Sequence, residues 1–203
     1  MTLMPDVDPA DLDRLTARLA LAADDAGLLD VAWTTVDTPV GPLLLAGTPQ
    51  GLVRVAYGTE GHDAVLQTLA DRISPRVLRA PARLSAAVRQ LEEYFAGRRT
   101  AFELPLDLRL AAGFRRAVLT QLRQVGYGTT ASYATVAAAA GSPRAVRAVG
   151  TACATNPLPV VVPCHRVVRS DGGIGQYVGG TEAKKALLDL EGERLRRGVL
   201  VQL

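Results

Sequence analysis

The stretch Asn156-Pro157-Leu158-Pro159-Val160-Val161-Val162-Pro163-Cys164-His165-Arg166 is the segment around which the rest of the chain is organised. Three consecutive valines between prolines predict a short buried strand, because β-branched residues fit a pleated core and proline closes each end. Cys164 would then lie where the strand ends, next to His165, one of two histidines in the chain. A rigidly held thiol beside a proton acceptor makes a nucleophilic cysteine the first hypothesis.

Two observations keep an inert cysteine open as the alternative. Most free cysteines are buried and behave as small hydrophobic side chains. Neighbouring side chains on an extended chain also point to opposite faces, so His165 cannot bond Cys164 directly. Either the chain turns at Pro163-Cys164 or a water bridges the two side chains.

Composition limits the class of protein. The chain has 203 residues, 48% of them hydrophobic, which is enough for one large domain or two smaller ones. No apolar run approaches the ~20 residues of a membrane span, and Met1 to Asp13 is acidic, unlike a signal peptide. We therefore expect a cytoplasmic protein with no membrane partner. Cys153 and Cys164 are too few for a disulfide framework or a four-ligand zinc site, so no metal and no cofactor is expected.

Charge is distributed unevenly along the chain. Residues 1–107 contain 10 Lys and Arg against 15 Asp and Glu, whereas residues 108–203 contain 13 against 5. The second half is therefore strongly basic, which favours a polyanionic partner, and nucleic acid is the commonest one. On charge alone, a solvated basic face with no partner is an equal alternative.

The first half predicts a leader helix followed by a small sheet. Asp8-Pro9 is typical of a helix start, and Leu12, Leu15 and Leu19 then recur on one helical face. The elements predicted after it are strands over Val31–Thr38, Leu43–Thr48 and Leu52–Tyr57, a helix over Glu60–Ile73, a strand over Arg76–Arg79 and a helix over Arg83–Phe95. We interpret the first three strands as a β-meander. Residues 1–107 present no catalytic constellation.

The second half is mainly helical. Phe114–Val125 has a helical period, and Ser132 is expected to cap a short helix over Tyr133–Ala140. Ser142-Pro143 is expected to open the next helix, Arg144–Ala154. Two short helices joined by a tight turn with a glycine are typical of a helix-turn-helix.

The second helix of this pair is rich in small residues. Ala145, Ala148 and Gly150 would let its backbone approach a DNA groove, with Arg147 left to reach into the groove or the base stack. The alternative is that small residues only permit tight helix packing.

A glycine-rich loop and a last helix follow the Cys-His pair. The loop, Ser170 to Gly180, contains one aromatic residue, Tyr177, and its glycines suit either close approach to a flat ligand or a plain surface turn. Thr181 is expected to cap the last helix, which we expect to end at Glu191-Gly192. A carboxylate at a helix C-terminus is unfavourable to the helix dipole, so Glu191 needs another role.

Six short motifs together resemble one known family. They are Ser132-Tyr133, Arg147-Ala148-Val149-Gly150, Asn156-Pro157, Pro163-Cys164-His165-Arg166-Val167-Val168, Tyr177-x-Gly-Gly and Leu187-Leu188-x-x-Glu191-Gly192. With them the chain resembles the O6-alkylguanine-DNA alkyltransferases, also called methylated-DNA–protein-cysteine methyltransferases. The Pro-Cys-His-Arg order is the most specific of the six, and it favours the nucleophilic cysteine over the inert one.

The resemblance implies an α/β fold in three parts. Residues 1–30 would be a leader helix, which the helical pattern predicts and for which we find no matching part in the family. Residues 31–107 would form an N-terminal α/β domain with a small antiparallel β-sheet. Residues 108–203 would form a mainly helical C-terminal domain with a winged-helix-like helix-turn-helix.

The resemblance also implies a role for each catalytic residue. Cys164 would accept the alkyl group, and His165 would take the thiol proton through a water. Glu191 would orient His165, and Asn156 would hold the turn around the active site. Such a relay answers the geometric objection to a direct Cys-His bond and gives Glu191 its role.

The substrate would be bound by the helix-turn-helix and the glycine-rich loop. Tyr133 would press on the phosphate beside the target nucleotide, and Arg147 would fill the gap left in the base stack. Tyr177, Val178 and Gly179, with Tyr133, would wall the guanine pocket. Val178 replaces a polar residue that some relatives have.

The implied activity is direct-reversal DNA repair. The alkyl group of O6-alkylguanine, and also that of O4-alkylthymine, would pass irreversibly to Cys164 after nucleotide flipping, one group per protein molecule. The partner would be double-stranded DNA, bound by a monomer that can also bind cooperatively. Two hypotheses compete: a non-catalytic lesion-binding protein, a class that lacks the acceptor cysteine, and a cysteine hydrolase, for which the sequence offers no oxyanion arrangement.

Overall fold

Short aliphatic and β-branched runs build a four-stranded sheet in the first half of the chain. In this computed structural model, which describes residues 8–196, the predicted meander is present. Its strands are β1 (Val31–Val36), β2 (Leu43–Thr48) and β3 (Gly51–Tyr57), and each pairs antiparallel with the next. The fourth strand, β4 (Val77–Arg79), pairs parallel with β1, so the sheet is mixed and not antiparallel throughout as expected. The strand order β3-β2-β1-β4 leaves β3 at one edge of the sheet.

Three helices accompany this sheet: α1 (Pro9–Asp25), α2 (His62–Arg72) and α3 (Ser85–Phe95). The predicted start of α1 is confirmed, because the Asp8 side chain accepts a hydrogen bond from the Ala10 amide at 2.9 Å. The leucines that define its apolar face are exposed, however, with Leu12 at 58%. The helix buries Ala20 instead, because a small residue lets its backbone approach the domain closely.

The second half contains α4 (Gly113–Leu122), α5 (Tyr133–Ala139), α6 (Val146–Ala154) and α7 (Gly180–Arg196). Two short strands, β5 (Ala131–Ser132) and β6 (Val167–Val168), pair parallel beside them. The Ser132 side chain caps α5 as predicted, accepting from the Thr135 amide at 3.0 Å. Residues 140–145 connect α5 to α6.

The start of α6 differs from the prediction. Ser142-Pro143 lies in the turn, and the helix begins at Val146, with Ala145 at the N-cap and no side-chain cap bond. The left-handed backbone of Gly141 (φ 78°) and a bond from the Ala145 amide to the Ser142 carbonyl close the turn first. The chain is therefore free to become helical only after Ala145.

The prediction of a strand over the valine run is wrong. Residues 157–162 form turns, and Val160 has a left-handed φ of 70°. The amide of Val162 bonds to the Leu158 carbonyl at 2.8 Å. Prolines at positions 157, 159 and 163 lack the amide hydrogens that a sheet ladder needs, which explains the turn. The valines are buried nevertheless, so the segment is a compact plug in the core.

The prediction that Glu191 ends the last helix is also wrong. Helix α7 begins at Gly180, not after a Thr181 cap, and runs to Arg196, so Glu191 lies in its interior. Within residues 8–196, no helix has both the length and the apolar character needed to cross a membrane.

The two halves share one apolar core. It includes Leu45 and Tyr57 from the sheet, Val162 and Cys164 from the plug, and Leu187 from α7. The open edge of β3 is covered by the second half, since the Val55 amide donates to the Pro157 carbonyl at 2.8 Å. The sheet edge thus contacts the segment that leads to Cys164.

Candidate active site

Cys164 is held in a tight turn by an asparagine. The turn is a 3₁₀ turn over Cys164–Arg166, and the thiol side chain is 1% exposed. Asn156 Nδ2 donates to the Val162 carbonyl at 2.9 Å and to Cys164 Sγ at 3.1 Å, while its Oδ1 accepts from the Leu158 amide at 2.9 Å. Asn156 therefore fixes both sides of the plug and touches the sulfur as well.

The surroundings of Cys164 act on its pKa in opposite directions. Burial raises the pKa of the thiol to about 11, because a thiolate loses hydration there. The hydrogen bond from Asn156 and the ammonium of Lys184 both lower it from the value that burial alone would give. Hydrogen bonds and positive charge thus favour the anion that a nucleophile must become.

His165 and Glu191 form a buried pair beside the thiol. His165 Nε2 lies 3.0 Å from Glu191 Oε1, with the nitrogen as donor because a carboxylate only accepts. Burial lowers the pKa of His165, although Glu191 acts in the opposite direction. The lowered pKa favours the neutral ring. The other ring nitrogen, Nδ1, is buried and bonds to no atom of the described residues. With Nε2–H donating, Nδ1 carries the free lone pair of a base.

Glu191 accepts hydrogen bonds from both halves of the chain. Its carboxylate accepts from the Tyr94 hydroxyl at 2.7 Å and from the Gly128 amide at 2.9 Å. Arg166 donates from Nε at 3.0 Å and from Nη2 at 2.9 Å. Burial raises the pKa of Glu191, but the bonds from His165 and Arg166 outweigh it and lower the pKa to about 2. The carboxylate therefore stays charged and orients His165.

Three buried polar side chains of this cluster were not predicted from the sequence. They are Tyr94 on α3, Arg166 directly after His165, and Lys184 on α7. Lys184 is fully buried, and its Nζ donates to the Val167 carbonyl at 2.6 Å. The only available signal for Arg166 was its place in the Pro-Cys-His-Arg motif, and Lys184 resembles a surface lysine beside Lys185.

The glycine-rich loop lies over the cluster. Tyr177 is buried, and its ring packs edge to face on His165 with centroids 6.2 Å apart. Gly175 needs its left-handed φ of 70°, and a Cβ there would come within 2.7 Å of the Tyr133 hydroxyl. A cavity of about 280 Å³ is lined by Ala154, Gln176, Tyr177, Val178, Gly180 and Thr181. Of the residues predicted to form the pocket, Tyr177 and Val178 line this cavity, whereas Gly179 and Tyr133 do not; the Tyr133 hydroxyl lies against the loop at Gly175.

The residues predicted to contact DNA are all at least partly exposed. Arg147 and Ala148 are exposed on α6, whereas Ala145, Gly150 and Tyr133 are partly exposed. A Cβ added at Gly150 would meet nothing within 4 Å, so tight helix packing does not explain this glycine. Arg147 makes no ion pair among the described residues and is free to contact a ligand.

Comparison with known proteins defines the class. Residues 31–108 match the family described as "6-O-methylguanine DNA methyltransferase, ribonuclease-like domain". Residues 113–193 match "6-O-methylguanine DNA methyltransferase, DNA binding domain". The chain belongs to the methylated-DNA–protein-cysteine methyltransferase family.

Particular relatives cover most of the chain. It is 38% identical over 164 residues to the methylated-DNA–protein-cysteine methyltransferase of Mycobacterium tuberculosis, covering 81% of this chain and 94% of that protein. It is 40% identical over 172 residues to the Homo sapiens protein of the same name, covering 80% and 81% respectively. A crystal structure of the M. tuberculosis protein in complex with DNA superimposes with a TM-score of 0.69 at 38% identity, over 80% of this chain and 94% of that one.

Proposed function

We propose that this protein repairs alkylated DNA by transferring the alkyl group of O6-alkylguanine to Cys164. The observation that carries the proposal is the buried cluster in which Asn156 touches the Cys164 sulfur and Glu191 fixes the His165 ring. Family membership supports the reaction class, since the relatives are named for methyl transfer to a protein cysteine.

The reaction begins with removal of the thiol proton. Nδ1 of His165 accepts the proton of Cys164 through a water, because the two side chains make no direct hydrogen bond in the described structure. Glu191 holds the other ring nitrogen and stabilises the imidazolium that forms. The charge that appears on His165 is therefore balanced by a carboxylate that is already ionised.

The thiolate then attacks the alkyl carbon. A sulfur–carbon bond forms, the bond from that carbon to guanine O6 breaks, and its electron pair stays on the base. The dealkylated guanine, which remains part of the DNA, takes a proton and becomes neutral. This proton balances the one that Cys164 lost. The Tyr133 hydroxyl and backbone amides of the loop at Tyr177 to Gly179 are the donors proposed to stabilise the departing base.

The alkylated nucleotide reaches Cys164 by flipping out of the duplex, which costs a few kcal/mol. Arg147 is proposed to fill the gap in the stack, and Ala145, Ala148 and Gly150 to let α6 approach the groove. Their exposure or partial exposure in the free protein supports this arrangement. Residues 108–203, with 13 basic against 5 acidic side chains, supply the phosphate contacts.

The product thioether has no hydrolytic exit, so each molecule reacts once. O4-alkylthymine, whose alkyl group is also carried on an exocyclic oxygen of the base, is proposed as a second substrate. The protein is proposed to act as a monomer in solution and to bind double-stranded DNA cooperatively.

Mass measurement of the intact protein tests the proposed function. After incubation with duplex DNA that carries O6-methylguanine, the protein should gain one methyl group per chain while the DNA loses one. A protein that binds the duplex and gains no mass would be a lesion-binding protein instead. Release of more methyl groups than there are protein molecules would indicate a hydrolase.

A further inference from the structure

The N-terminal sheet reaches the pocket of the second half through Tyr57. This residue ends β3 and is 3% exposed. Its hydroxyl shares a hydrogen bond of 3.0 Å with the hydroxyl of Tyr177, and the two rings meet edge to face with centroids 5.8 Å apart. Since Tyr177 itself packs on His165, Tyr57 lies one side chain away from the proposed base.

Tyr57 also explains a glycine of the loop. A Cβ added at Gly179 would lie 2.5 to 2.7 Å from three ring atoms of Tyr57, which is closer than real Cβ contacts. The φ of Gly179 lies outside the left-handed region, so its backbone conformation would accept alanine. The tyrosine ring, and not backbone strain, is what requires glycine at this position.

The backbone around Tyr57 is anchored to the active-site segment. Its amide donates to Glu60 Oε1 at 2.9 Å, and Glu60 is ion-paired with Arg54. Arg54 Nη1 donates in turn to the Pro157 carbonyl at 3.3 Å, which also accepts from the Val55 amide. Tyr57 is therefore fixed relative to the plug that carries Cys164.

We infer that Tyr57 is a positioning residue that sets the width of the alkylguanine pocket, and with it the size of alkyl group that Cys164 accepts. The inference rests on the proposed function. Tyr57 contacts Tyr177 and the backbone of Gly179 but does not itself line the cavity that Tyr177 borders. Without this support Tyr177 moves toward the sheet and the pocket widens. The rate of transfer of bulky alkyl groups then rises relative to that of methyl groups.

Removing only the hydroxyl tests this inference. Tyr57→Phe should raise the ratio of the single-turnover rate for O6-benzylguanine to that for O6-methylguanine in duplex DNA. The expected increase is about fivefold, because this factor corresponds to the free energy of one buried hydrogen bond. Tyr177→Phe should change the ratio similarly. The double variant should add little, because both substitutions remove the same bond.

Val65→Ala is the matched control for lost stability. Val65 lies in a second apolar cluster between the sheet and α2, apart from the pocket. The Val65→Ala substitution should lower the melting temperature and leave the ratio of benzyl-transfer to methyl-transfer rates unchanged. A Tyr57→Phe protein that also keeps the ratio would overturn the inference. A parent protein that transfers neither group would overturn the proposed function instead.

A reciprocal pair tests the contact with Gly179. Gly179→Ala alone should slow transfer of both alkyl groups, because the new Cβ pushes the loop off Tyr57. Tyr57→Ala in the same chain provides space for that Cβ and should restore most of the methyl-transfer rate. No restoration in the double variant would show that Tyr57 does not position the loop.

Discussion

The two cysteines of this chain are both buried, yet their surroundings differ. Cys153 is the second-last residue of α6, and among the described residues no side chain donates a hydrogen bond to its sulfur. Cys164 lies in a tight turn, where Asn156 donates to its sulfur. Burial raises the pKa of both thiols, and it raises that of Cys153 further. Burial alone would make both inert; the polar groups around Cys164 distinguish it.

The difference originates in local backbone structure. Helix α6 uses its own amides and carbonyls for helical bonds, so it offers few donors to a side chain within it. The proline-rich plug before Cys164 cannot form a helix or a ladder. Its backbone groups are satisfied by the Asn156 side chain, which contacts the sulfur at the same time.

Replacement of each cysteine tests this comparison most directly. Cys164→Ala should abolish alkyl transfer, because no other thiol has a base nearby. Cys153→Ala should keep transfer within a few-fold, since it changes only an apolar contact in α6. Peptide mapping after reaction with methylated duplex should place the group on Cys164. Methyl found on Cys153, or transfer by the Cys164→Ala protein, would contradict the comparison.

Glu191→Gln should have the next largest effect. The amide no longer stabilises an imidazolium, so the rate of transfer should fall about a hundredfold, as for loss of a general base. It also leaves Arg166 buried without a full counter-charge, which should lower the melting temperature. Asp189→Asn, which neutralises an exposed carboxylate in the middle of the same helix, is the control and should change neither quantity.

The acid stability of the protein depends on the same carboxylate. The pKa of Glu191 is about 2 in the folded state, below the ~4.3 of an unfolded glutamate. Its contribution to stability is therefore fully present above about pH 4.3 and is lost as the pH falls through about 2. The free energy of unfolding should fall on the order of 3 kcal/mol over this window. Urea titrations of the parent and of Glu191→Gln should differ in this pH dependence, and parallel curves would contradict the assignment.

The sequence predicted most of the helices and strands, and it failed where local proline chemistry was overlooked or where long-range contacts decide. The Cys164-His165 pair, Asn156 and Glu191 are predicted by one set of motifs, and the structure brings Asn156 to Cys164 and Glu191 to His165. The valine run was predicted as a strand because side-chain preference was weighed above three missing proline amides. Tyr57 could not be predicted, since its partner Tyr177 lies 120 residues away.

Arg147→Ala separates DNA handling from thiol chemistry. The rate with duplex DNA should fall about tenfold or more, because the gap left by the flipped nucleotide is not filled. The rate with a free alkylated guanine base should hardly change, because Cys164 and its partners are untouched. Arg144→Ala, another exposed arginine next to α6, is the control and should weaken binding only through salt-sensitive phosphate contacts. Equal losses on duplex and free base would show that Arg147 is structural.

The smallest effect is expected on the stability of the protein after the reaction. It depends on the tight packing around Cys164, which a surface thiol would lack. Cys164 is 1% exposed, so an added alkyl group must be accommodated within a packed cluster. Extra volume in a core costs about 1–3 kcal/mol, and the thioether also loses the thiolate that Asn156 stabilises. For a chain of this size each kcal/mol lowers the melting temperature by roughly 2–4 °C.

The alkylated protein should therefore melt several degrees below the unreacted one, with a larger decrease for benzyl than for methyl. The Cys164→Ala protein, treated with the same DNA, should show no shift and controls for effects of the duplex. Because nine residues separate the end of α6 from Cys164, the same strain should weaken DNA binding by the alkylated form. Scanning calorimetry of the unreacted, methylated and benzylated proteins tests this expectation: identical melting curves would mean that the pocket already has room for the group.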